Sequence, residues 1–127
     1  MKEIIKTKHA AAPIGPYNQA VSINGFLYTS GQIAINPETG KTEFDSIEEE
    51  TKRVMTSLRA ILNEAKLDFS DVIKTSIFIS DMDDFSKINE VYGSYFDEST
   101  APARETVQVA RLPKDANVEI SLIAFQG

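Results

Sequence analysis

From Ser46 to Ala65 the apolar residues recur every three or four positions, at Ile47, Val54, Leu58, Ile61, Leu62 and Ala65, whereas several stretches before and after alternate apolar with polar residues. Spacings of three and four place side chains on one face of a helix, and a spacing of two places them on one face of a strand. The chain must therefore pack an amphipathic helix against a sheet. Ser46 followed by Glu49 reads as a capping box, so the helix is expected over about 47–66. Asn24-Gly25 between Ala20–Ile23 and Phe26–Thr29 is the sequence signature of a two-residue hairpin, because both residues tolerate positive φ.

Ahead of the hairpin a short segment surrounds Glu3 to Ile5, followed by an ordered loop in which Pro13, Gly15 and Pro16 exclude helix. Val72 to Ser80 is rich in β-branched residues and reads as a strand, with Ile73, Thr75, Ile77 and Ile79 on one face. Asp81, Asp83 and Asp84 suit a helix start, and Phe85, Ile88, Tyr92, Tyr95 and Phe96 form the stripe of a second helix ending near Asp97. Glu105 to Ala110 and Val118 to Phe125 alternate again, around the turn Leu112-Pro113-Lys114-Asp115-Ala116. The order is ββαβαββ, which predicts an α+β mixed sheet with both helices on one face. The other face then carries too many apolar side chains to stay in water, so a homo-oligomer with sheets packed on sheets is expected.

A length of 127 residues suits one domain running end to end, and 42% hydrophobic with 25% charged residues is an ordinary globular composition. No apolar run reaches the roughly 18 residues of a membrane span, and Met1 to Lys6 lacks the apolar segment of a secretory signal, so a cytoplasmic protein without a membrane partner is expected. With no cysteine the chain has no disulfide, thiolate nucleophile or thiolate-bound metal. A net charge of −6 with scattered Lys and Arg argues against a nucleic-acid partner. The single histidine, His9, has no ligand cluster and should be solvated, and neither GxGxxG nor GxxxxGK[ST] occurs. No metal and no cofactor are expected.

The candidates for chemistry lie in the last two strands and two loops. Arg104 shares a face with Thr106, Gln108 and Ala110, while Glu119 alternates with Val118, Ile120 and Leu122, where it should be partly desolvated. Arg104 and Glu119 can be a mutually paired structural couple or a site for an anion and a base, and both readings stand. Ser30-Gly31 can offer a backbone N–H to an anion or form an ordinary turn. Tyr17, held by Gly15-Pro16, can be a lid or a core cap, and Asn89 on the second helix needs a hydrogen-bond partner, by default a structural one.

Seven segments then occur in order along nearly the whole chain: Ile14-Gly15-Pro16-Tyr17, Ser30-Gly31-Gln32-Ile33, Asp83-Asp84-Phe85, Asn89-Glu90-Val91-Tyr92, Pro102-Ala103-Arg104, Leu112-Pro113-Lys114 and Val118-Glu119-Ile120. Together they resemble the RidA (YjgF) family of cofactor-independent enamine and imine deaminases. The resemblance implies a chorismate-mutase-like α+β fold of the bacillus type, assembled as a homotrimer with sites in the clefts between subunits. It implies that Arg104 grips the substrate carboxylate with the backbone N–H groups of Gly31 and Thr106. It further implies that Glu119 positions and activates water, and that Tyr17, Ser30 and Asn89 line the pocket, while Gln32 does no more than shape the turn. Thr106 stands where many members have cysteine and Glu105 where serine is frequent, which excludes a thiol role here. The implied reaction is hydrolysis of 2-aminoacrylate and related enamine or imine acids to 2-keto acids and ammonia. The alternatives carried beside it are a small-carboxylate-binding or chaperone-like module without turnover, and a ribonuclease.

Overall fold

A computed structural model describes residues 1–127. Its strands are β1 (Glu3–Ile5), β2 (Ala20–Ile23), β3 (Phe26–Thr29), β4 (Val72–Ile79), β5 (Ala103–Gln108) and β6 (Val118–Phe125), and its helices are α1 (Ile47–Glu64) and α2 (Phe85–Gly93). They form one six-stranded sheet in the order β1-β2-β3-β6-β4-β5, in which only β4 and β5 run parallel. The expected α+β mixed sheet is present, with β1 as an added edge strand.

The hairpin forms as its sequence requires: Ile23 pairs with Phe26, and Asn24 and Gly25 take φ of 51° and 85°. At the start of α1, the Ser46 side chain accepts the Glu49 N–H at 3.1 Å, while no bond returns from the Glu49 side chain, so half of the box is made. The helix stops at Glu64, slightly earlier than the spacing predicts. Lys66 enters the left-handed region (φ 62°), and Leu67 N–H closes back on the Leu62 carbonyl at 2.8 Å. The second helix ends at Gly93 rather than near Asp97, yet Tyr95 and Phe96 still pack their rings on Phe69, at centroid distances of 5.3 and 5.4 Å. A short 3-10 turn over Met82–Asp84, capped by Asp81, precedes it.

Two other expectations are corrected. A bulge between Val72 and Lys74 shifts the register, so Val72 is buried and Ile73 is 46% exposed, the reverse of strict alternation. The fifth strand begins at Ala103 and ends at Gln108, because it pairs residue by residue with β4 from Lys74 to Ile79, and pairing rather than alternation sets its limits.

One core lies between the helices and the sheet. It joins Val54, Leu58, Ile61 and Leu62 of α1, and Ile88 and Tyr92 of α2, to Ile77, Ile79, Ile120 and Leu122. Strand alternation sends Phe78, Val107, Ile123, Phe125 and Tyr28 to the opposite face, where Tyr28, Val107 and Phe125 are exposed and Phe78 and Ile123 are half-buried. No helix is long and apolar enough to cross a membrane. A Cβ on Gly25 would approach the Gln126 carbonyl to 3.0 Å at a φ an L-residue resists, so Gly25→Ala should cost about 1–2 kcal/mol in denaturant unfolding.

Candidate functional site

Glu119 is placed by its neighbours. Val118 and Ile120 are fully buried on the helix side, so alternation turns Glu119 to the open side. There the chain leaving β3 closes on β6: Gln32 and Ile120 exchange backbone hydrogen bonds of 2.9 and 3.1 Å. Gly31 therefore lies against Glu119, and a Cβ at Gly31 would sit 2.7 Å from its carboxyl group. The glycine is required because the carboxyl occupies that space. Burial pushes the Glu119 carboxyl above its ordinary 4.5. It borders a cavity of about 400 Å³ lined also by Tyr17, Ile14, Gly31, Ile33 and Lys114.

The cavity's outer wall is a loop that cannot hold itself by regular hydrogen bonding. Gln19, buried at the start of β2, holds it: its Oε1 accepts the Thr7 N–H at 2.7 Å, and its Nε2 donates to the carbonyls of Thr7, Ala10 and Ala11 at 3.0, 3.2 and 2.9 Å. Ser30 donates its hydroxyl to the Asn18 carbonyl at 2.5 Å, so that proton ties the loop down. Tyr17 stays half-exposed at the rim, as a lid or wall rather than a core cap. Gln32 does more than shape a turn, since its backbone bridge sets the approach of Gly31 to Glu119.

Arg104 belongs to a different surface. It pairs with Thr75, whose hydroxyl shares a 2.7 Å hydrogen bond with Tyr92 on the helix side, and its guanidinium lies over the rings of Phe85 and Tyr92 at 5.7 and 5.2 Å. It donates to the Asn89 side-chain oxygen, which supplies the partner that Asn89 needs. The ion pairs of the chain are Arg53–Glu43, Lys74–Glu105 and Arg111–Asp115, which leaves Arg104 without an acidic partner. Burial pushes the Tyr92 phenol up, against the pull of Thr75 and Arg104. Two residues along the same face, the Thr106 hydroxyl is buried with no hydrogen-bond partner.

Arg104 and Glu119 are therefore not a mutual couple. They leave opposite faces of the sheet, and β4 separates their strands by about 10 Å. Of the expected site residues, Tyr17, Ser30, Gly31 and Glu119 gather at one end of the open side, while Asn89, Arg104 and Thr106 gather beside α2. Sequence reading missed Gln19 and Glu50. Gln19 carries no signal in a single sequence, but Glu50 does, because a charge at this spacing falls on the buried stripe of α1 between Ile47 and Val54. His9 is exposed, and no group of three or more acidic or histidine side chains is arranged to hold a metal ion.

The family model described as Endoribonuclease L-PSP matches residues 7–126. The chain belongs to this family, that of RidA and YjgF. It is 52% identical over 123 residues to a RutC family protein of Synechocystis, covering 96% of this chain and 95% of the relative. It is 45% identical over 129 residues to an Escherichia coli protein named "Putative reactive intermediate deaminase TdcF", covering 100% and 99%. Among solved structures, a Rid family protein of Yersinia pestis superposes with a TM-score of 0.96 at 44% identity, covering 99% and 100% of the two chains. E. coli TdcF with bound serine superposes with a TM-score of 0.92 at 42% identity, covering 98% and 99%. The fold of this RidA-family chain is thus that of the L-PSP/YjgF proteins.

Two outcomes follow for this RidA-family site. Thr106→Val replaces an unpaired hydroxyl with a methyl group of similar shape and should raise stability by about 1 kcal/mol in chemical unfolding. For Glu119, the folded state holds its proton to higher pH than the unfolded chain, so folding stability falls as pH rises from near 4.5 through the folded-state value. Glu119→Gln removes that loss. The variant should gain on wild type across the same window, as a pH series of thermal melts would show.

Proposed function

We propose that this protein hydrolyses small enamine and imine carboxylates, of the 2-aminoacrylate and 2-iminopropionate type, to 2-keto acids and ammonia, at sites shared between chains of a homotrimer. The observation that carries this reading is the pair of half-sites on opposite faces of one sheet: an uncompensated guanidinium beside α2 and a desolvated carboxyl over Gly31. Neither half suffices. A second copy that brings its Glu119 face to the Arg104 edge of the first makes one crevice of the two.

The apolar side chains left on the open face support such packing, since contiguous exposed patches of this kind are covered in stable proteins. Arg104 is already oriented by Phe85, Tyr92 and Asn89, so its planar fork can take a carboxylate through two parallel hydrogen bonds without first ordering itself. The backbone N–H groups of Gly31 and Thr106 complete the cradle, with Tyr17, Ser30 and Asn89 around it. Once the enamine has tautomerised to the imine, ionised Glu119 takes a proton from water as the oxygen bonds to the imine carbon. It returns that proton to nitrogen to give a carbinolamine, then carries the hydroxyl proton to nitrogen as the carbonyl forms, the carbon–nitrogen bond breaks and ammonia leaves. A carboxyl raised above its ordinary range is the stronger base for this step.

The relative named as a reactive intermediate deaminase and the TdcF structure with bound serine favour this chemistry. The endoribonuclease label is a family description, and a net charge of −6 disfavours a polyphosphate substrate here.

A coupled assay in which a dehydratase supplies the imine tests the reading. Arg104→Ala should lose about one to two orders of magnitude in kcat/KM, the worth of a charge-assisted hydrogen bond. Glu119→Gln should fold and bind but turn over slowly. Mixing the two inactive variants under exchange should restore activity at about a quarter of the sites, because random assortment then pairs an intact Arg104 with a neighbour's intact Glu119 at that frequency. No recovery in mixed oligomers, or a monomer by light scattering, would overturn the shared site.

A further inference from the structure

Glu50 is fully buried one turn into α1, and no cation accompanies it. Its carboxylate takes all its hydrogen bonds from one place. Oε2 accepts the backbone N–H groups of Asn117 and Val118 at 2.7 and 3.2 Å, and Oε1 accepts the Asn117 side-chain amide at 2.8 Å. Asn117 is held from the end of β4 as well, since Ser80, the residue after that strand, donates its backbone N–H to the Asn117 carbonyl at 3.0 Å and its hydroxyl to the side-chain oxygen at 3.2 Å. Burying a carboxylate costs several kcal/mol before its hydrogen bonds offset it, and a leucine or methionine would join α1 to the sheet at less cost. Packing alone gives no reason for an acid here.

The position of the donors does. Pairing between β4 and β6 ends at Ile79–Val118, and beyond it Ser80 holds only the carbonyl of the Asn117 backbone, which leaves the Asn117 N–H to Glu50. Glu50 fixes Asn117 and Val118, and the Gln32 bridge fixes Ile120. Glu119 is the one residue between these two anchors, and its carboxyl lies over Gly31, in the space a side chain there would fill.

We infer that Glu50 is a positioning residue for Glu119, fixing the start of β6 from the helix side so that the carboxyl on the opposite face stays aimed at the substrate cleft. Glu50 touches no substrate. The inference rests on the role proposed for Glu119, but the anchoring itself can be read without turnover.

Three variants test it. Glu50→Met keeps length and apolar packing and removes the acceptors. Glu50→Gln keeps an acceptor for both backbone N–H groups and, with the Asn117 amide turned over, an amide pair as well. Asn117→Ser removes the amide donor to Glu50, together with the acceptor of the Ser80 hydroxyl, while keeping both backbone donors, and serves if Glu50→Met does not fold. The first readout is the titration of the Glu119 carboxyl carbon by NMR in isotopically labelled protein, with Glu119→Gln assigning the signal; Tyr17 and Lys114 are the other titratable groups lining that cavity. In Glu50→Met, Glu119 should titrate closer to the ordinary glutamate range, kcat should fall about ten- to a hundredfold, and KM should change little. Glu50→Gln should restore both, and Asn117→Ser should lie between.

Wild-type Glu119 titration and kcat in folded Glu50→Met, or in Asn117→Ser where that variant replaces it, would reduce Glu50 to a structural clamp and overturn the inference. So would a Glu50→Gln variant no better than Glu50→Met. If the wild type does not deaminate imines, the proposed reaction fails, while the NMR comparison still decides whether Glu50 positions Glu119.

Discussion

The antiparallel pairing of β4 with β6 is the constraint on which the rest of the structure depends. It makes β6 central, and it sets Ile77 opposite Ile120 and Ile79 opposite Val118 on the side covered by helices. Alternation then leaves Glu119 no choice of face, and the parallel attachment of β5 to β4 leaves Arg104 none either. A slip of one residue in either register would bring the two groups to the same side of the sheet, but it would also turn a row of core residues into water. The hydrophobic core therefore enforces the separation of the two charged groups, and the separation makes association a condition of any chemistry they share.

Each of the two groups is ordered by its own surroundings, and by different means. Around Arg104 the ordering comes from aromatic faces and a neutral amide, which orient a guanidinium without neutralising it. An aspartate in place of Asn89 would pair with that charge instead of leaving it free. Around Glu119 the ordering comes from the backbone, through the Gln32–Ile120 bridge, the buried Glu50 and the absence of a side chain at Gly31. The loop wall depends on Gln19, which satisfies four backbone groups that irregular structure would otherwise leave unpaired. Polar groups inside this protein thus act as joints between segments that cannot pair as strands.

Much of the fold was legible because its strongest signals are local. The Asn24-Gly25 hairpin, the stripe of α1 and the limits of β6 follow from two-residue turns and from the periods 2 and 3.6, which any stretch of chain carries within itself. The errors fall where a partner decides. The bulge at Val72–Lys74 and the limits of β5 are properties of pairing with another strand, and the end of α2 at Gly93 was masked by Tyr95 and Phe96, which extend the apolar stripe without extending the helix.

The sequence by itself determined the chemical inventory: one arginine in polar company and one glutamate among apolar strand residues, a glycine and a tyrosine in rigid loops, and the face each strand residue shares with its neighbours. Tertiary structure alone decided that the arginine lies beneath α2 while the glutamate opens on the far side, that Asn89 serves the guanidinium, and that Glu50 reaches the start of β6. The physical reason is range. Periodicity is written into consecutive residues, whereas register, strand order and contacts between residues 67 positions apart, as Glu50 and Asn117 are, exist only once the chain has closed on itself.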